Sequence, residues 1–70
     1  MAVQLFVIKD NNSGEYYVRH TERVVVDFAP FSVDMTYAGH KKDAEKIAQH
    51  YRTNQGRDLS VLPLVPSMAR

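Results

Sequence analysis

The chain has no cysteine and no tryptophan, and only three glycines and three prolines among its 70 residues. Without cysteine there is no disulfide framework and no thiolate zinc site, so neither a covalent staple nor a structural metal is expected. No apolar run approaches the roughly 18 residues of a membrane span. Met1-Ala2-Val3-Gln4-Leu5 carries no basic residue ahead of its apolar stretch, so no secretory signal is expected and the location read from the sequence is cytoplasmic. Phosphate cradles are missing too. Gly14, Gly39 and Gly56 are isolated and form neither a Gly-x-Gly-x-x-Gly nor a P-loop.

What remains is ordinary for a globular domain. The hydrophobic fraction is 44% and the charged fraction 24%, which places the chain away from disordered and fibrous classes. The length allows one domain, read here as a single α+β domain over residues 1–65 and a loose tail over 66–70. Size sets a constraint. Below about 70–80 residues one core rarely supplies more than ~3–5 kcal/mol, and small domains bury only ~60% of the surface that the unfolded chain exposes. Self-association is therefore expected.

Val3 to Lys9 predicts a strand with Val3, Leu5 and Val7 on one face and Phe6 and Ile8 on the other. Both faces are apolar, so both need cover. Asp10-Asn11-Asn12-Ser13-Gly14 predicts a hairpin loop, with Glu15 to His20 as the returning strand. Val24 to Phe28 has strong β-propensity, and Pro30 stops or bends it. Phe31, Val33, Met35 and Tyr37 then alternate with Ser32, Asp34, Thr36 and Ala38, predicting a half-buried strand with Asp34 and Thr36 facing out.

Lys41 to about Thr53 predicts a helix, because Ala44, Ile47, Ala48 and Tyr51 form one apolar stripe at i, i+3, i+4 and i+7. His40 and Asp43 have capping-box spacing, and Asn54 or Gly56 supplies the C-cap. Leu59 to Val65 is the last strand, confined by Pro63 to an edge or a strand end. The expected architecture is α+β: an antiparallel sheet of three to four strands with one amphipathic helix packed on one face. One helix covers one face, so a second copy is the expected cover for the other.

Catalytic chemistry finds little footing. His20, His40 and His50 offer no pair at i, i+3 or i+4, so no metal is expected, and no cofactor site is expected either. Ser13, Ser32, Ser60 and Ser67 stand in turn, strand or tail contexts, away from any strand-to-helix elbow. Asp27 and Asp34 are a carboxylate pair only if the bend at Pro30 brings them together, and they read first as solubilising strand charges. The chain is read as non-enzymatic.

Charge is uneven. Residues 1–38 sum to −2 and residues 39–57 to +3, through Lys41, Lys42, Lys46, Arg52 and Arg57 against Asp43 and Glu45. A basic helix is a nucleic-acid candidate through Lys41, Lys42, Lys46 and Arg52, with strand tyrosines able to stack on bases. The strands themselves are net acidic and would repel phosphate. Protein binding through a strand edge or an uncovered sheet face is the first reading, with Tyr17, Arg19 and Phe28 as aromatic and arginine anchors.

The segments Phe6-Val7-Ile8-Lys9-Asp10, Ser13-Gly14-Glu15-Tyr16-Tyr17-Val18 and His40-Lys41-Lys42-Asp43-Ala44-Glu45-Lys46-Ile47-Ala48 form an ordered pattern. It resembles small uncharacterised proteins of phages and prophages: strand, polar turn with Gly, Tyr-containing strand, Lys-Lys-acidic-Ala helix, last strand. That resemblance implies an accessory protein that binds a host or phage component. The helix start Gly39-His40-Lys41-Lys42-Asp43-Ala44 also resembles the arm-site DNA-binding domain of tyrosine integrases. In those domains three strands precede a helix opening on Thr-Lys-Lys-Glu-Ala, and the sheet enters the major groove. The strands here lack the basic residues of such a sheet, and a C-terminal apolar strand is added.

Overall fold

A strand that is apolar on both faces needs two layers of cover, and that need organises this chain. The computed structural model describes residues 4–19 and 26–65. Among them are β1 (Phe6–Asp10), β2 (Tyr16–Tyr17), β3 (Phe28–Ala29), α1 (Lys41–Gln55) and β4 (Leu59–Pro63). The strands form one antiparallel sheet in the order β3-β2-β1-β4, with α1 against one face. This is the α+β arrangement expected from the sequence. The expected strand start at Val3, residues 20–25 and the tail at 66–70 lie outside the described residues.

β1 and β4 pair along their whole length, from Phe6↔Pro63 to Asp10↔Leu59. Residues directly opposite share a face, so Ile8 with Val61 and Tyr17 with Phe28 project toward the helix. Ala44, Ala48 and Tyr51 of α1 meet them, with Ile47 and Phe6 at the margin. The apolar stripe read from the sequence is thus the buried stripe. Two alanines at its centre let helix and sheet approach closely, and the larger side chains flank them. The helix stops where Gly56 takes the left-handed conformation (φ 63°) and donates its N–H to the Arg52 carbonyl at 3.0 Å. At the other end the capping box does not form. His40 is extended, and its side chain makes no capping hydrogen bond, in keeping with the weak capping ability of imidazole.

The segment 31–38 differs most from expectation. It is not a strand with Phe31, Val33, Met35 and Tyr37 inward. Ser32 and Thr36 close a tight turn: the Ser32 N–H donates to Thr36 Oγ1 at 2.8 Å, and the Thr36 N–H to the Ser32 carbonyl at 2.9 Å. Thr36 is consequently buried, while Val33 and Met35 at the turn are 69% and 42% exposed. A hydroxyl that satisfies a backbone donor inside a turn outweighs period-2 alternation.

After the turn, the chain enters the sheet. β1 and β2 pair only at Lys9↔Tyr16. Beyond that point, residues 36–39 bridge to both, through Val18↔Thr36 and Phe6↔Gly39. The Tyr37 N–H donates to the Tyr17 carbonyl at 2.8 Å, and Phe6 and Gly39 exchange two hydrogen bonds of 2.7 and 3.1 Å. Gly39 is required there by contact, because a Cβ would run into the Tyr37 ring.

Two substitutions separate these glycine roles. Gly56→Ala meets open space but keeps a positive φ, and should cost about 1 kcal/mol, a fall of about 4–8 °C in Tm for a domain of this size. Gly39→Ala should cost more, because Tyr37 must leave its place among the aromatic rings. Thermal unfolding of both variants checks the order, and equal or reversed effects would contradict the packing at Gly39.

Candidate binding surface

The helix-facing side of the sheet is closed by aromatic rings. Tyr17 contacts Phe28, Tyr37 and Tyr51 at centroid distances of 5.7, 5.6 and 5.4 Å, and Phe28 meets Tyr51 edge-on at 5.5 Å. Such pairs contribute about 0.5–1.5 kcal/mol each beyond their buried area. The Tyr51 hydroxyl is hydrogen-bonded to Tyr17 and to the Asp27 carboxylate. Burial first, then these two partners, push that phenol well above its ordinary range. Burial also raises Tyr37, helped by the charge of Asp43. The Tyr37 and Tyr51 hydroxyls therefore stay protonated at neutral pH.

The anchors expected from the sequence take the following places. Tyr17 and Phe28 are 8% and 7% exposed and belong to the core. Alternation puts Tyr16 and Tyr17 on opposite faces but does not say which face the helix will cover. Arg19 is exposed, yet its guanidinium donates to the Asp34 carbonyl and its N–H to the Met35 carbonyl, so it braces the 32–36 turn.

At the edge of the core sits one carboxylate with several partners. Asp10 Oδ1 accepts the N–H groups of Asn12 (2.9 Å) and Ser13 (3.3 Å), shaping the hairpin loop. Asp10 Oδ2 accepts Arg57 Nη1 at 2.7 Å. Arg57 in turn lies 4.2 Å over the Phe28 ring, and its Nε donates to Gln55 Oε1 at 2.7 Å. Burial alone would raise the Asp10 carboxyl. The hydrogen bond from Asn12, that from Arg57, the one from Ser13 and the Arg57 charge together hold it below the ordinary aspartate range.

Both sheet edges are blunted. β3 spans two residues and runs into Pro30. On β4, Arg52 Nη2 donates to the Leu59 carbonyl at 2.8 Å, and Pro63 has no N–H to offer. A continuous ladder with a visiting strand is thereby denied. The same contact removes Arg52 from the basic patch. Lys41, Lys42 and Lys46 remain together, exposed around a shallow depression with Glu45 and Gln49. The acidic neighbours Asp43 and Glu45 dilute their charge.

The sheet face away from the helix keeps an open apolar groove of about 310 Å³. Val7 forms its floor. Phe31, Val33 and Ala38 line it from the 31–38 segment, and Leu64 and Val65 from the chain beyond β4. Ser32 and Thr36 are its polar residues. Phe31 is steadied by an edge-on contact with Tyr16 at 5.4 Å. Val33 and Val65 stand 69% and 37% exposed, with Leu5 (37%) beside Leu64 through their 2.8 Å backbone bond. None of these residues was singled out as a site from the sequence. The available signal was Pro30 followed by Ser32 and Thr36, a turn pattern overlaid by a strand-like one.

Asp27 bonds Tyr51, and Asp34 is exposed on the turn. Among the described residues, no three His, Asp or Glu side chains gather as a metal site, and no helix is long and apolar enough to cross a membrane. No protein-family model, curated protein or solved structure matches this chain.

The Asp10 corner gives a pH prediction. A carboxyl lowered in the folded state adds stability that is present above its unfolded value of about 3.9 and lost as pH falls through the folded value. Urea unfolding across acid pH should show this loss in the wild type and a flatter profile in Asp10→Asn. At pH 7 the variant should cost on the order of 1–3 kcal/mol, since the partly exposed Arg57 turns to water rather than being stranded. Equal acid slopes in the two proteins would contradict the assignment.

Proposed function

We propose that this chain is a small non-enzymatic protein-binding accessory protein. It acts in the cytoplasm as a homodimer, in the manner implied by its resemblance to small phage and prophage proteins. The observation that carries this reading is the apolar groove on the open sheet face. Aliphatic and aromatic walls suit the burial of a protein partner's side chains, and the groove lining offers no titratable group for acid–base or nucleophilic work. Blunted edges favour face packing over strand addition. The volume lies at the low end of small-molecule pockets, roughly 300–1,000 Å³.

A second reading, nucleic-acid binding, rests on the shared exposure of Lys41, Lys42 and Lys46. Phosphate contacts would show as a log–log salt slope of about −0.9 per phosphate. Apolar packing carries no such slope.

The test is recovery of a tagged chain expressed together with an untagged copy in its native host. Recovery is made with and without nuclease, at low and high salt. The expected result is a stoichiometric protein, the untagged copy or another, that survives nuclease and salt and is lost with Val65→Asp. Recovery of nucleic acid that is abolished by Lys41→Glu with Lys42→Glu would instead establish the second reading. Recovery of nothing would overturn both.

A further inference from the structure

We infer that the groove on the open sheet face is a binding site for a free medium-chain carboxylate. Its alkyl chain lies over Val7 toward Leu64 and Val65, and its carboxylate meets the Lys9 ammonium. The inference goes beyond the protein-binding reading and does not depend on it, because the occupant is a small ligand.

The charge comes from the strand that forms the groove floor. Side chains alternate along a strand, so Val7 and Lys9 leave β1 on the same face, about 7 Å apart along the strand. Lys9 is partly buried, and among the described residues it makes no hydrogen bond or ion pair. Its cross-strand partners, Tyr16 and Ser60, carry no charge. Asp58 stands at the other end of β4 from Leu64, where Asn11 Nδ2 donates to its carboxylate at 3.3 Å. A partly buried ammonium without a partner, set beside apolar walls, is complementary to an anion with an apolar body.

Register gives the site a direction. Phe31 forms one wall and touches Tyr16 at 5.4 Å, and Tyr16 stands opposite Lys9. Leu64 lines the groove as well, and its N–H donates to the Leu5 carbonyl at 2.8 Å. The apolar path therefore follows β1 from the Lys9 row past Val7 to the Leu5 row, a span of about 13 Å. Gln4 Nε2 donates to the Leu64 carbonyl at 2.9 Å, so the far end is uncharged.

The ligand class follows from that arrangement. The groove lining has no titratable side chain, so the charge of the ligand must sit at one end. One ammonium matches one carboxylate rather than a doubly charged phosphate ester. Val7, Val33, Ala38, Leu64 and Val65 are aliphatic, and a volume of about 310 Å³ accommodates one short alkyl chain.

The test is a nuclear magnetic resonance titration of the full isotope-labelled chain with octanoate and, separately, with octanol. Octanoate should produce saturable shifts at Val7, Ala38, Leu64 and Val65. Hexanoate, shorter by two methylenes, should bind about tenfold more weakly. Lys9→Gln should weaken octanoate about fivefold and leave octanol unchanged, which also shows that the groove is still folded. Lys46→Glu, on the helix, should change neither. Absence of saturable binding, shifts confined to the helix lysines, or an octanoate affinity indifferent to Lys9→Gln overturns the inference. If octanoate fails to bind while a protein is still recovered and lost with Val65→Asp, the inference fails and the protein-binding reading stands. If octanoate binds through Lys9 and no protein is recovered, the inference stands and that reading fails.

Discussion

A single helix covers a single sheet face, and everything else in this protein follows from that constraint. β1 presents Phe6 and Ile8 to the helix and Val7 to the opposite side, and both Val7 and Ile8 are fully buried. Burying such side chains contributes about 1.5–3 kcal/mol each. With no second helix among the described residues, the chain covers Val7 by folding residues 31–38 back over the sheet. The same segment then wedges residues 36–39 between β1 and β2. It acts as sheet and as cover at once, and the groove is the part of that cover left incomplete.

The two ends of the described chain are joined at Asp10. Its carboxylate reaches Arg57 across 47 residues of sequence while also shaping its own hairpin loop. Arg57 follows the left-handed Gly56, so the helix stop determines where the guanidinium emerges, and Phe28 gives it a ring to lie on. Hairpin, helix end and edge strand thus share one ionic contact. The aromatic cluster of Tyr17, Phe28, Tyr37 and Tyr51 performs the corresponding task for the apolar interior, with Tyr17 and Asp27 both meeting the Tyr51 phenol.

These internal demands also shape the surface. Arg52 serves the β4 carbonyl and is withdrawn from the helix lysines. Arg19 serves the turn. Tyr17 and Phe28 serve the core. The residues that looked most like binding anchors are thereby engaged in structure, while apolar side chains such as Val33 and Val65 stay exposed. In a chain this short, conspicuous residue types are drawn first into holding the fold.

The helix was legible in the sequence because its apolar stripe and its glycine stop are local. Ala44, Ala48 and Tyr51 are spaced by the helix itself, and Gly56 is recognised by its own backbone. The β1–β2 hairpin and the β4 strand, with Pro63 near its end, were legible for the same reason, and with them the α+β class. The groove was not. Strand alternation sorts residues into two faces without telling which face a distant helix will cover, so Tyr17 and Phe28 could not be assigned to the core in advance. The 31–38 segment satisfied two local patterns at once. Ser32 and Thr36 closed the turn through hydrogen bonds four residues apart, and Arg19 braced it through contacts that exist only once the chain after β2 lies beside it. Local periodicity determined the elements, and long-range hydrogen bonding decided which face stayed open.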